Sequence, residues 1–224
     1  MDKDELGHID LWLILLLSTF TSLMKEEGRN IYSVFDEVLN RDDKERLLKQ
    51  KGIVIWMTGL SGSGKTTIAK GLERKLHDKG VLTKLLDGDN VRTGINNNLG
   101  FTVEDRTENI RRISEVAKLF LNNGTVTICC FVSPTREIRA NAREIIGAES
   151  FLEIFINTPI SVCEERDVKG LYQKARSGEI KNFTGIDSPF EAPDVNFTEI
   201  LTEHKTVDES VEDLYSSIID KIKA

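Results

Sequence analysis

Cysteine, positive charge and long apolar runs are all scarce in this chain. There are three cysteines, Cys129, Cys130 and Cys163. They form no CxxC and no Cys/His spacing of the kind that holds zinc, and an odd number of thiols makes a poor disulfide framework. A zinc module and a disulfide-stapled secreted domain are therefore disfavoured, and a reducing compartment is expected. Cys129 and Cys130 are neighbours inside an apolar run, so in a strand they would face opposite sides and serve as core thiols. Lysine and arginine number 30 against 37 acidic residues, for a formal net charge of -7. Such a chain is ill suited to non-specific nucleic-acid binding, and any anion it holds must meet a local basic cluster. The longest apolar stretch, Ile9 to Met24, solid only from Leu11 to Leu17, is shorter than the ~20 residues that cross a bilayer comfortably. Asp2, Asp4 and Glu5 outnumber Lys3 ahead of it, and no A-x-A follows, so neither a secretory signal nor an Arg-rich presequence is matched. Residues 1–29 read as an N-terminal extension. Its residues 9–24 would dock on a partner, on their own domain or on a membrane surface. A cytoplasmic location is expected, with membrane association or an organelle, through this extension, as the alternative.

What is present is a phosphate-binding pattern. Gly59-Leu60-Ser61-Gly62-Ser63-Gly64-Lys65-Thr66 fits G-x-x-x-x-G-K-[ST]. A β-branched apolar run, residues 52–58, precedes it. Residues 67–79 follow as a helix, with Ile68, Leu72 and Leu76 at four-residue steps. Glycines let successive N–H groups turn inward on phosphate oxygens, and the helix N-terminus adds positive potential there. Lys65 would reach the β- and γ-phosphates of a nucleoside triphosphate, and the Thr66 hydroxyl would ligate Mg²⁺.

The remaining pattern alternates strands and helices. Strands are expected over residues 81–86, 125–131 and 151–156, with a weak fifth over 199–202. Helices are expected over 102–122, from a Thr102-x-x-Asp105 capping box, over 135–146, after Pro159, and from a Thr206-x-x-Glu209 box to the end. A short helix is expected around Asp42–Leu48. At 224 residues, 39% hydrophobic and 30% charged, this is enough for one α/β domain, residues 30–224, with a parallel five-stranded sheet flanked by helices. Ligands of such sheets lie beyond the carboxyl ends of the strands. Thr58-Gly59, Asp87–Asp89, Phe131–Ser133 and Asn157-Thr158 should then line one crevice.

At those ends, Asp87 and Asp89 flank a glycine beside the phosphate loop, suited to a metal and to a hydroxyl proton. Arg92, Arg106 and Asn109 form a donor set for phosphate or sulfate. Arg111 and Arg112 read more readily as ion-paired surface. Residues 164–194 are polar, glycine-hinged and basic, including Lys169, Lys174, Arg176 and Lys181, as a lid over a triphosphate would be. Phe101 and Phe183 could stack on a base or pack on the core. Three readings compete: a small-molecule kinase, a nucleotide-binding regulatory module and a GTPase-like switch. The regulatory reading is weakened because Lys65 and both aspartates are present. The switch is weakened because no N-K-x-D follows.

The combination resembles the adenylylsulfate (APS) kinase family. The matching pieces are QKGIVIWMTGLSGSGKTT, LDGDNVRTGI, LGFTVEDRTENIRR and CEERDVKGLYQKARSGEIKNFTGIDSPFEAP, with a looser match ahead of the first strand. The resemblance implies a P-loop kinase fold and transfer of a phosphoryl group from ATP, with Mg²⁺, to the 3′-hydroxyl of adenosine 5′-phosphosulfate. It implies nucleotide binding by Gly59, Leu60, Ser61, Gly62, Ser63, Gly64, Lys65, Thr66 and Thr67. It implies substrate binding by Arg92, Phe101, Arg106, Asn109, Ser133, Lys181 and Phe183, and a homodimer. Asp87 or Asp89 would be the base, with Asp87 favoured and Asp89 joining Thr66 at the metal. Ser133 matches a serine once assigned as a phosphoserine intermediate. In-line transfer needs no covalent step, so a hydrogen bond to substrate is the physical expectation for it. Asn98 departs from the aspartate usual before Leu-Gly-Phe. With no sulfurylase domain in the sequence, the acceptor would come from a separate enzyme.

Overall fold

A computed structural model describes residues 32–223. The expected extension, residues 1–29, and its 9–24 stretch lie outside the described residues. The chain divides into two compact units, Met1–Leu39 and Asn40–Ala224. Within the first, a 3₁₀ turn spans Phe35–Glu37. The second carries everything that follows.

The second unit begins with α1 (Arg41–Leu48), capped at Asn40 by a reciprocal box with Asp43. Then come β1 (Ile53–Thr58), α2 (Lys65–Asp78) and β2 (Thr83–Asp87). Next are α3 (Gly88–Thr93), α4 (Val103–Asn122), β3 (Val126–Cys130) and α5 (Arg136–Ile146). β4 (Phe151–Asn157), α6 (Ile160–Arg166) and α7 (Leu171–Arg176) lead to β5 (Phe197–Leu201) and α8 (Val207–Ile222). All strand pairs are parallel, in the order β2-β3-β1-β4-β5. The phosphate loop therefore leaves the middle of the sheet.

β1 is buried at every position because it has a helical layer on each face. Ile53, Ile55 and Met57 pack with Ile68, Leu72 and Leu76 of α2 and Leu214 and Ile218 of α8. Val54 and Trp56 pack on the other face with Ile110, Ile113 and Ala117 of α4 and Ile138 and Ala142 of α5. Cys129 joins the second cluster and Cys130 the first, as strand alternation requires.

Three local expectations shift. No helix is expected directly after the strand at 81–86, yet Asp87 caps α3 by accepting from the Asp89 N–H. At α4, Thr102 accepts from the Asp105 N–H, but the reciprocal half of the box is not formed. β5 begins at Phe197 rather than 199.

One buried ion pair stiffens the route from fold to site. Arg139 Nε donates to Glu153 Oε1 at 2.7 Å, both groups being nearly inaccessible. The same guanidinium donates to the Ser133 carbonyl at 2.7 Å and the Glu191 carbonyl at 2.8 Å. It thus holds the turn after β3 to the C-terminal end of the 164–194 segment. Arg139→Met leaves the Glu153 carboxylate with only Arg143, at 3.7 Å, and should destabilise the fold by about 3 kcal/mol, whereas Arg139→Met with Glu153→Leu should recover most of that. Urea unfolding of the three proteins checks it.

Candidate active site

A cavity of about 1000 Å³ runs along the carboxyl edge of the sheet. The phosphate loop forms its floor from Ser61 to Thr67. Gly59 sits at φ 148°, and a Cβ there would lie 2.6 Å from the Ile156 carbonyl oxygen, so only glycine allows this approach to β4. Gly59 and Leu60 do not line the cavity; they act through their carbonyls, to which Lys65 Nζ donates at 2.9 and 2.7 Å. Ser63 Oγ lies 3.4 Å from the same nitrogen. All three partners are neutral, and burial pushes the ammonium down to about 8.

Thr66 Oγ1 donates to Asp87 Oδ2 at 2.7 Å. Asp89 lies one residue into α3, largely exposed, where its carboxylate forms an ion pair with Lys169. The carboxylate beside Thr66 is that of Asp87, because Asp87 ends a strand next to the loop while Asp89, expected to join Thr66 at the metal, is carried outward on the helix. Hydroxyl plus carboxylate oxygen beside a phosphate loop is a donor set that fits Mg²⁺, which usually takes one or two protein oxygens and completes its shell with phosphate and water. Among the described residues no group of three or more His, Cys, Asp or Glu side chains could hold a metal unaided, so the ion would be held jointly with the nucleotide.

Past the acidic pair the wall turns basic and aromatic. Arg92 stacks on Phe101, with Cζ 4.4 Å from the ring centroid, and donates to the Leu99 and Gly100 carbonyls. Arg106 donates to the Phe101 carbonyl, to Thr184 Oγ1 and to the Asn182 carbonyl, so it ties the start of α4 to the lid. Burial lowers the pKa of both guanidiniums, and the charge of Arg106 lowers that of Arg92 further. Two partly desolvated cations this close favour an anion between them. Phe183 meets Tyr172 edge-on, centroids 5.0 Å apart, and Tyr172 Oη donates to the Ser61 carbonyl of the phosphate loop. Arg111 and Arg112 are ordinary surface ion pairs: both donate to Glu108, whose carboxyl these hydrogen bonds bring down to about 2.

Ser133 lines the cavity at φ 42°, a left-handed conformation that the surrounding bonds impose. Its Oγ accepts from Trp56 Nε1 at 3.1 Å, and no carboxylate or imidazole is hydrogen-bonded to it among the described residues.

Lys65, Thr66, Thr67, Asp87, Asp89, Arg92, Phe101, Arg106, Asn109, Ser133 and Phe183 thus share one cavity. Lys181 does not line it and is exposed. Of the expected strand ends, Asp87–Asp89 and Phe131–Ser133 are in the crevice. Thr58 and Thr158 are buried behind it, donating to the Val132 and Ser63 carbonyls, and Asn157 does not line it. Sequence reading missed the far end, formed by Arg166, Thr202, Lys205, Thr206, Val207 and Ser210. The strand-end rule, applied to β5 as to its neighbours, would have found the chain after Leu201.

The adenylylsulphate kinase family model matches residues 51–200, more than half of the chain. The adenylyl-sulfate kinase of Bacteroides fragilis is 58% identical over 197 residues, 88% of this chain and 98% of the relative. The Mycobacterium tuberculosis APS kinase, solved in complex with AMPPNP and APS, superposes with a TM-score of 0.72 at 44% identity, covering 75% of this chain and 98% of that one. A hexameric APS kinase from Thiobacillus denitrificans superposes at 0.61 and 28% identity over 80% of this chain and 32% of that one. Phosphate loop, acidic pair and basic aromatic wall all come from the region these comparisons cover, and the chain belongs to the adenylylsulphate kinase family.

Proposed function

We propose that the chain transfers the γ-phosphoryl group of ATP to the 3′-hydroxyl of adenosine 5′-phosphosulfate, giving ADP and 3′-phosphoadenosine 5′-phosphosulfate. The supporting observation is the two-sided cavity. A loop built for polyphosphate faces an acidic pair, and beyond it stand two partly desolvated arginines flanked by Phe101 and Phe183. Phosphoryl transfer asks the protein mainly for alignment and charge. Ser61–Thr67 and Lys65 hold the triphosphate. Arg92, Arg106 and Asn109 hold the acceptor anion, with Phe101 and Phe183 beside its adenine. Asp89 takes the proton of the acceptor hydroxyl as the new O–P bond forms and the bond to ADP breaks. Thr66 and Asp87 hold Mg²⁺, which neutralises charge on the transferring phosphates when bound. Ser133, held by Trp56 and without a base, hydrogen-bonds substrate rather than carrying a phosphoryl group. Arg166 and the Thr202–Ser210 edge would take the nucleoside end of ATP.

Purified protein given ATP, Mg²⁺ and adenosine 5′-phosphosulfate should release ADP and the 3′-phosphorylated product, and should release neither with AMP or adenosine as acceptor. Tight ATP binding without turnover of this acceptor defeats the reading.

Self-association is a further part of the proposal: a homo-oligomer, which the hexameric relative supports, with a homodimer as the smallest form, checked by light scattering. Among the described residues no helix is long and apolar enough to cross a membrane. Cytoplasmic location, and any membrane or partner contact by residues 9–24, remain proposals for fractionation to test.

A further inference from the structure

Asn96 does not line the cavity, yet it is fully buried in the turn after α3. Its Nδ2 donates to Asn109 Oδ1 at 3.0 Å and lies 3.5 Å from the Asn109 backbone oxygen. Its own Oδ1 is buried without a hydrogen-bond partner among the described residues. Buried amide oxygens are seldom left that way. Turning the amide over would not help, because it would set Oδ1 against a backbone carbonyl that can only accept. The carbonyl therefore fixes Asn96 with its NH₂ toward Asn109. Asn96 in turn fixes the Asn109 amide with its oxygen inward. Asn109 lines the cavity one turn from Arg106, and its Nδ2 makes no protein hydrogen bond among the described residues. The polar atom it has left for a ligand is a donor.

We propose that Asn96 is a positioning residue that sets the polarity of the acceptor subsite: by orienting Asn109, it makes the cavity present N–H rather than C=O to the anionic part of the acceptor. This rests on reading Arg92, Arg106 and Asn109 as the acceptor side. The unsatisfied Asn96 Oδ1 is the cost of keeping that donor chain in order.

Two substitutions separate this role from simple packing. In Asn96→Asp the carboxylate can only accept, so Asn109 turns its NH₂ inward and offers oxygen to the anion. KM for adenosine 5′-phosphosulfate should rise about tenfold or more, with KM for ATP unchanged and kcat little altered. In Asn96→Leu the volume stays but the orienting bond goes, leaving Asn109 free to adopt either orientation, and KM should rise only about threefold. A purely structural role would instead shift both KM values and kcat together, and its effect would persist when Asn109 is replaced. In an Asn109→Ala background, Asn96→Asp should change KM less than about twofold.

Wild-type protein that fails to phosphorylate this acceptor overturns the functional reading, and this inference with it, before any variant is compared. An active wild type with unchanged acceptor KM in Asn96→Asp overturns this inference alone. So does a larger effect for leucine, or an undiminished effect in the Asn109→Ala background. Should Asn96→Asp fail to fold, Asn96→Leu alone and combined with Asn109→Ala decides: its rise in acceptor KM must disappear in the combination.

Discussion

Lys65→Ala should lower kcat/KM for ATP by about 10³-fold while leaving the fold intact. The argument begins with what Lys65 touches now. Its ammonium is buried, and its hydrogen-bond partners are two carbonyls and a hydroxyl, none of them charged. Burial therefore dominates, and the group falls from its ordinary 10.5 to about 8, a difference of about 3 kcal/mol. One phosphate charge placed about 4 Å away, at an effective dielectric of about 20, returns about 4 kcal/mol. The triphosphate wins that comparison, so Lys65 is protonated in the complex even where the free enzyme has begun to lose its proton. The sign of the pH effect follows. The bound-state pKa lies above the free-state value, so ATP affinity is complete below about 8 and weakens as pH rises through it, by up to about tenfold per unit. Calorimetry in buffers of different ionisation enthalpy should show proton uptake on ATP binding at pH 8.5 and little at pH 6.5. Lys65→Ala should bind weakly with neither signature. Lys65→Arg keeps the charge but brings a planar fork to a site shaped around a point donor, and should recover little of the lost rate.

How much of this was legible beforehand depended on how local each signal was. The strand, loop and helix around residues 53–78 were readable because one contiguous segment carries the apolar run, the glycines and the helical repeat. The last helix was readable for the same reason: Thr206 and Glu209 form the full box, and Val211, Leu214, Ile218 and Ile222 are its buried face. β5 was the weakest strand because it lies at the sheet edge, where only Ile200 is buried and alternation has almost nothing to act on. α3 was hidden by chemistry that serves two ends: an Asp side chain accepting from the N–H two residues on makes a turn in one context and a helix cap in another. The acceptor side of the site was found because Arg92, Phe101, Arg106 and Asn109 fall within one short stretch around the start of α4. The opposite end was missed because its parts follow different strands. Arg166 ends α6, while Thr202 to Ser210 follow β5, and only the parallel sheet brings them to one wall. Lys181 lies off the cavity wall for a related reason. Basic residues in a lid share composition but not direction, and it is Lys169 that reaches the acidic pair.

That same ion pair bears on the second large effect, the division of labour between the two aspartates. Asp89→Asn should lower kcat by about 10³-fold with KM for ATP nearly unchanged, because it removes a proton acceptor from the acceptor side and leaves the phosphate loop alone. Asp87→Asn should also be severe, but differently. It replaces the carboxylate that receives the Thr66 hydroxyl at 2.7 Å, so its main defect should be in holding the ion. Raising Mg²⁺ should restore a substantial part of its rate, at an apparent Mg²⁺ requirement shifted upward by about tenfold. No Mg²⁺ concentration should rescue Asp89→Asn. Lys169 supplies an internal control. Its ammonium forms an ion pair with the Asp89 carboxylate, at the border of the two halves of the cavity. A triphosphate in the cavity would compete with Asp89 for that ammonium, since Lys169 lines the same cavity as the phosphate loop. Lys169→Met should then raise KM for ATP and lower kcat less than Asp89→Asn does. If Mg²⁺ rescues Asp89→Asn and not Asp87→Asn, the two roles exchange: Asp87, at the strand end, becomes the base, and Asp89, on the helix, becomes the metal ligand.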